Sequence, residues 1–304
     1  MNDLPIGIFD SGLGGLTVAA EIMRTLPHES VLYVGDTARC PYGPRPLPEV
    51  RDFVLQIATW LAHHDVKMIV IACNTGTAAG LVAAQQAFDI PVIGVVEPGA
   101  RAAVKATRNR RVGVIATTGT VESGAYSDAV RALDAGATVF SVATPKFVDI
   151  VEQGLHMGPG TLEEWIADSS SVFVRPSFYE IARDYLDPLK RTGVDTLVLG
   201  CTHFPLLAPA IGQVMGRRVR IISSAAETAR DVAETLRARR QLAPTANVSR
   251  PRFVTTGDAG EFARLGSRVL QRSIPTAEHL DVAELASLVI PGPRGETADP
   301  TEEA

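Results

Sequence analysis

The amino-acid sequence predicts an α/β protein: two pseudo-symmetric α/β domains with mainly parallel sheets flanked by helices, and an active site in the cleft between them. Three observations predict it. Short apolar runs alternate with longer helical patterns along the chain, as strand–helix units around a parallel sheet do. The apolar runs are continuous, which strands covered on both faces require. One pattern also recurs: Val66-Lys-Met-Ile-Val-Ile-Ala-Cys73-Asn-Thr75 lines up with Val194-Asp-Thr-Leu-Val-Leu-Gly-Cys201-Thr-His203, and Ile6–Ser11 lines up more loosely with Val112–Thr117.

The elements follow in order. Ile6–Phe9 reads as the first strand, and Gly15–Leu26 as a helix with Leu16, Ala19, Ala20 and Met23 on one face. After the strand Val31–Val34, Pro48 opens a helix that runs to about His63 with Phe53, Ile57, Trp60 and Leu61 on one face. Met68–Ala72, Val92–Val95, Val112–Ala116, Val139–Val142, Thr196–Leu199, Val219–Ile222 and Phe253–Thr255 complete the strands. Residues 156–175 interrupt the rhythm and read as an insertion or surface loop. The first domain is expected over 1–97 plus about 211–272, and the second over 98–210. Residues 273–304 form an extension whose polar, Pro/Gly-rich and acidic end is expected to be disordered.

Composition narrows the function. With 304 residues, 46% hydrophobic and 21% charged, the chain is ordinary globular material. A net charge of −5 argues against a nucleic-acid partner, since phosphate binding needs a basic excess. No apolar run is long enough to span a membrane, and Met1–Pro5 has no basic n-region. Three cysteines without a Cys-x-x-Cys pair fit neither a disulfide scaffold nor a structural zinc site. A cytoplasmic protein is expected, with no metal and no cofactor.

Four places could carry chemistry. Asp10-Ser11-Gly-Leu-Gly-Gly-Leu-Thr17 joins the first strand to the first helix. Its glycines would let backbone amides meet an anion, and their spacing suits a carboxylate better than a dinucleotide. Cys73-Asn74-Thr75 and Cys201-Thr202-His203 each lie between a strand and a helix start, where the helix dipole lowers a thiol's pKa. Two thiols in matched places point to function where one alone would read as an inert small hydrophobe. Glu152 reads as a solvated acid following a short helix. Cys40, in a loop restrained by Pro41 and Pro44, has no counterpart in the second half and reads as a bystander. A Cys201–His203 pair could also serve acyl transfer with Cys73 a spectator, and a binding module without catalysis stays open.

Taken together, Gly7-Ile-Phe-Asp-Ser-Gly-Leu-Gly-Gly-Leu-Thr17, Gly35-Asp-Thr-Ala-Arg39 with Pro41-Tyr-Gly43, Ala72-Cys-Asn-Thr75 and Leu199-Gly-Cys-Thr-His-Phe-Pro205 resemble bacterial glutamate racemase, from about Pro5 to Arg240. The resemblance implies cofactor-independent interconversion of L- and D-glutamate, supplying D-glutamate for peptidoglycan. It places the two thiols at Cys73 and Cys201, and groups that assist them at Asp10, Glu152 and His203. Substrate contacts fall on Asp10, Ser11, Tyr42, Gly43, Asn74, Thr75, Thr117, Thr120, Thr202 and His203. Asp36 matches a further acid of the motif. Cys40 stands where an apolar residue is expected. A homodimer is expected.

Overall fold

The computed structural model describes residues 2–158, 160–161, 163–164 and 176–292. Its strands are β1 (Ile6–Asp10), β2 (Val31–Gly35), β3 (Met68–Ile71), β4 (Val92–Gly94), β5 (Arg111–Ala116), β6 (Thr138–Ala143), β7 (Thr196–Gly200), β8 (Arg220–Ser223), β9 (Arg252–Thr255) and β10 (Glu278–His279). The helices are α1 (Leu16–Thr25), α2 (Leu47–His63), α3 (Asn74–Ala87), α4 (Val96–Ala106), α5 (Thr118–Glu122), α6 (Ala125–Leu133), α7 (Pro145–Met157), α8 (Pro176–Arg191), α9 (Ala208–Met215), α10 (Ser224–Ala238), α11 (Ala259–Leu270) and α12 (Val282–Ala286).

The strands form two all-parallel sheets, ordered β10-β9-β2-β1-β3-β4 and β6-β5-β7-β8. The order β2-β1-β3-β4 in one is repeated as β6-β5-β7-β8 in the other, so the recurring sequence pattern has a structural counterpart. β1 and β3 are neighbours, and so are β5 and β7. Asp10, at the end of β1, is level with Gly35, and Ala116 is level with both Ala143 and Gly200. The C-terminal strand ends are therefore in register, and the segments leaving them emerge together. Ligands bind at this end of open parallel sheets.

Every strand expected from the sequence is present. The short, exposed β10 was not expected; it pairs with β9 through Glu278 and His279 alone. Sheet membership corrects the boundary placed near 211. β8 lies in the stretch expected to rejoin the first unit, yet it pairs with β7 in the second sheet, and the chain returns with β9. α1 buries Leu16, Val18, Ala19 and Ile22, while Ala20 and Met23 are only half-buried. The buried stripe is rotated from the expected one because α1 packs against α10 as well as the sheet. α7 extends to Met157, so the start of the 156–175 stretch is helical. Residues 165–175 and 293–304 lie outside the described residues. Glu29 and Lys67 form a buried ion pair at 2.5 Å, and Lys67 Nζ also donates to the Asn2 and Gln241 carbonyls. A buried charge needs such partners.

Candidate active site

The in-register strand ends bring the two cysteines to one cavity. A space of about 250 Å³ is lined by Cys73 from the first sheet and Cys201 from the second. Ser11, Tyr42, Gly43, Asn74, Thr75, Thr117, Thr202 and His203 complete its predicted lining. Asp10, Thr120 and Glu152 stand behind this lining. Pro145, Val148 and Asp149, all on α7, also line it and were missed in the sequence. Their signal is helical spacing: Val148 and Glu152 are i and i+4 on one helix, so they share a face. Glu152 accordingly lies inside α7 and not after it. It reaches His203, which removes it from the class of solvated surface acids.

Cys73 caps α3. Its Sγ accepts from Gly76 N at 3.3 Å, and its thiol faces Ser11 Oγ at 3.9 Å. The sequence reading expected the helix dipole to lower this thiol's pKa. The structure reverses that expectation: burial pushes Cys73 up, the nearby Asp10 adds to the rise, and the Gly76 amide opposes it. The magnitudes explain why. A helix terminus contributes up to about 2 kcal/mol, whereas complete burial of a charge contributes about 4–7 kcal/mol.

Cys201 has different surroundings. His203 Nδ1 lies 3.7 Å from its Sγ, and His203 Nε2 lies 2.6 Å from Glu152 Oε1. Burial alone would depress the imidazole's pKa, but the hydrogen bonds to Cys201 and Glu152 outweigh it and hold His203 well above its ordinary value. Burial tends to raise Glu152, and the bond to His203 overrides that and lowers it. The pair is thus imidazolium and carboxylate at neutral pH. One thiol faces a cation, and the other sits in apolar surroundings near an acid.

The glycine-rich turn does not present its amides to a ligand in the way its sequence suggests. Asp10 Oδ2 accepts from Gly12 N at 3.1 Å and from Gly15 N at 3.0 Å, and Thr202 Oγ1 approaches Oδ1 at 3.4 Å. Burial holds Asp10's pKa above its ordinary value against the pull of His203 and these amides. The glycines are needed for close approach. A Cβ at Gly14 would collide with Thr202 Oγ1 and lie 2.8 Å from His203 Nδ1, and one at Gly15 would collide with Asp10.

The opposite wall is built from hydroxyls. Thr75, Thr117 and Thr120 form a closed triangle of Oγ1 atoms at 2.8, 3.0 and 3.2 Å. Thr117 also caps α5, and Gly43 presses against it closely enough that a Cβ there would lie 2.8 Å from Thr117 Cβ. Tyr126 OH donates to Asn74 Oδ1 at 2.8 Å, which orients the amide, and among the described residues the buried Asn74 Nδ2 has no partner. A buried donor left unpaired costs about 1–3 kcal/mol, so this one is suited to a bound acceptor. Asp36 is fully buried outside the cavity. It accepts from Arg39 Nε at 2.7 Å, Thr256 Oγ1 at 2.8 Å and Tyr42 OH, and so fixes the loop that presents Tyr42 and Gly43. Cys40 is half-buried and lines a separate cavity of about 130 Å³ with Glu152 and His156.

Comparison with known proteins agrees with this architecture. A family model described as Asp/Glu/Hydantoin racemase matches residues 16–232. A glutamate racemase of Corynebacterium diphtheriae is 46% identical over 278 residues, covering 91% of this chain and 98% of the relative. One of Bacillus cereus is 45% identical over 275 residues, covering 90% and 96%. Among solved structures, glutamate racemase isoform RacE1 of Bacillus anthracis superposes with a TM-score of 0.82 at 41% identity, covering 93% of this chain and 99% of that one. Glutamate racemase of Francisella tularensis in complex with D-glutamate gives 0.81 at 30% identity, covering 95% and 100%. With its duplicated strand order and a thiol from each sheet on one cavity, the chain belongs to the Asp/Glu/Hydantoin racemase family.

Proposed function

We propose that this isomerase interconverts L- and D-glutamate by proton transfer between the substrate Cα and two thiols, Cys201 and Cys73. The observation that carries the reading is that the two thiols line one cavity from different sheets. Racemisation removes a proton from one face of Cα and returns one to the other, so it needs one ionised and one protonated group. His203 Nδ1 faces Cys201 Sγ at 3.7 Å, within reach for proton exchange, and burial pushes the Cys73 thiol's pKa up. In the L-to-D direction Cys201 takes the α-proton and Cys73 donates to the opposite face; the reverse reaction exchanges these roles. The cavity lies just under the about 300–1,000 Å³ of drug-sized ligand sites, which suits an amino acid. Asn74 Nδ2 and the Thr75 and Thr117 hydroxyls, held from behind by Thr120, supply fixed donors for the substrate carboxylates and for charge developing at Cα.

An acyl-transfer reading of Cys201 and His203 leaves Cys73 without a task, and the shared cavity favours the two-thiol reading. The reading extends to two units divided between the sheets, a cytoplasmic homodimer, and D-glutamate supply for peptidoglycan synthesis. Incubation with L-glutamate in D₂O, after dialysis against chelator and with no added coenzyme, is the test. Loss of optical rotation with deuterium appearing at Cα of the D-product is expected. A trapped acyl-enzyme without Cα exchange would sink the proposal. Analytical ultracentrifugation tests the dimer.

A further inference from the structure

A cluster of four arginines lies at the N-terminal ends of the second sheet, the edge opposite the cysteine cavity. Arg108, Arg217, Arg218 and Arg220 surround a depression of about 410 Å³ together with Asp195. All four are exposed, and among the described residues none of the four guanidinium groups has a hydrogen-bond or ion-pair partner. This stands out in a chain of net charge −5. Two neighbours in the chain are engaged instead: Arg110 pairs with Asp134, and Arg111 Nε donates to the Thr192 carbonyl.

Asp195 is the one carboxylate at this site, and it does not neutralise the cluster. Its oxygens accept from Thr107 Oγ1 at 2.5 Å, Arg108 N at 2.7 Å, Asn109 N at 2.9 Å and Thr196 Oγ1 at 3.0 Å. Burial would raise its pKa, and these four bonds instead lower it. Its main chain clamps the neighbours too: Arg220 N donates to Asp195 O at 2.8 Å. Arg217 and Arg218 sit in the turn closed by Val219 N on Gly216 O at 3.1 Å, where Gly216 takes φ +85°. The carboxylate is spent on two amides and two hydroxyls, so it holds the segment that presents Arg108 and leaves the guanidinium charges free.

We infer that this depression is an anion site for a ligand carrying linked phosphates, such as inorganic pyrophosphate or a nucleoside diphosphate. Guanidinium forks match phosphate oxygens in pairs, and several converging forks favour linked phosphates over a single one. The concave shape, within the size range of small-molecule sites, favours such a ligand over an extended polyanion. Clustered like charges also repel one another, so ligand binding and charge removal should each relieve that repulsion. The inference does not depend on the isomerase reading.

The test is titration calorimetry and thermal melting of the full chain at low ionic strength with phosphate, pyrophosphate and ADP. Pyrophosphate and ADP should bind at one site, more tightly than phosphate and more weakly as salt rises. The tighter of the two identifies the source as inorganic or nucleotide. Arg217→Glu/Arg218→Glu should weaken binding by about tenfold or more. It should also melt no lower than the parent without ligand and racemise at the parent rate. Arg108→Ala, a milder change, should weaken binding in the same direction. Equal binding by parent and variants, no preference over phosphate, or tighter binding of a DNA duplex than of pyrophosphate would each overturn the inference.

Discussion

His203 bridges Cys201 and Glu152, with Nδ1 3.7 Å from the thiol sulfur and Nε2 2.6 Å from the carboxylate oxygen. The imidazolium depends on both neighbours, so removing Glu152 should be felt at the thiol. Glu152→Gln is expected to lower turnover of L-glutamate by about 10²-fold, the lower range for a lost acid–base contribution. The basic limb of its pH profile should move to lower pH, because His203 without its carboxylate loses its proton sooner. An unshifted limb would count against the coupling.

The same pair has a stability signature. His203's pKa is raised on folding, so its contribution is present below imidazole's ordinary 6.5 and is lost as pH rises through the folded value. Glu152's is lowered, so its contribution is present above the ordinary 4.5 and is lost as pH falls through the folded value. The melting difference between parent and Glu152→Gln should therefore be largest between those two values and shrink on either side. Melting curves across the range would show it.

Cys73→Ala and Cys201→Ala should each reduce racemisation to background with melting temperatures near the parent's. Cys40→Ser should keep most activity, since Cys40 lines the separate cavity. Comparable loss in all three, measured by circular dichroism of the product mixture, would refute the division between two working thiols and one bystander.

Gly14→Ala should cost about 1–3 kcal/mol of stability, the range for overpacking, and should lower turnover more than stability predicts. Its Cβ would push on Thr202 and His203 Nδ1, the atom facing Cys201. Denaturant melts and kinetics on one preparation separate the two effects. If the variant turns over glutamate normally, the close approach does not set His203's position.

Asp36→Asn keeps the shape but gives up the charge that Arg39, Tyr42 and Thr256 share. It should raise KM more than it lowers kcat, because Tyr42 and Gly43 line the cavity while Asp36 does not touch it. Steady-state kinetics decide this. A fall confined to kcat would place Asp36 in the chemistry.

Much of this was legible from the chain. Apolar runs marked nine of the ten strands; β1, β2, β3 and β7 are buried throughout, and two-sided burial leaves them no alternation. The repeat around Cys73 and Cys201 anticipated two related α/β halves, and the shared strand order is its counterpart in the structure. Local patterns could not show what distant segments supply. Tyr126 orients Asn74 across 52 positions, and Thr256 reaches Asp36 across 220. Nor could sequence weigh burial against a helix dipole at Cys73, since burial depends on the whole fold. Asp149 was missed because a lone exposed acid on a helix looks like any solvated one.

The bonds of Asp10 to Gly12 and Gly15 carry a wider lesson about glycine-rich turns. This loop has the composition of a nest waiting for a guest, yet its own strand-end side chain is the tenant. In the proposed reaction, visiting carboxylates are therefore greeted elsewhere, by the Asn74 amide and the Thr75 and Thr117 hydroxyls that line the cavity. Neutralising or shortening Asp10 would do more than delete an acid. It would vacate the nest and offer a second address to the same class of visitor, so such a variant could hold glutamate in an unproductive pose.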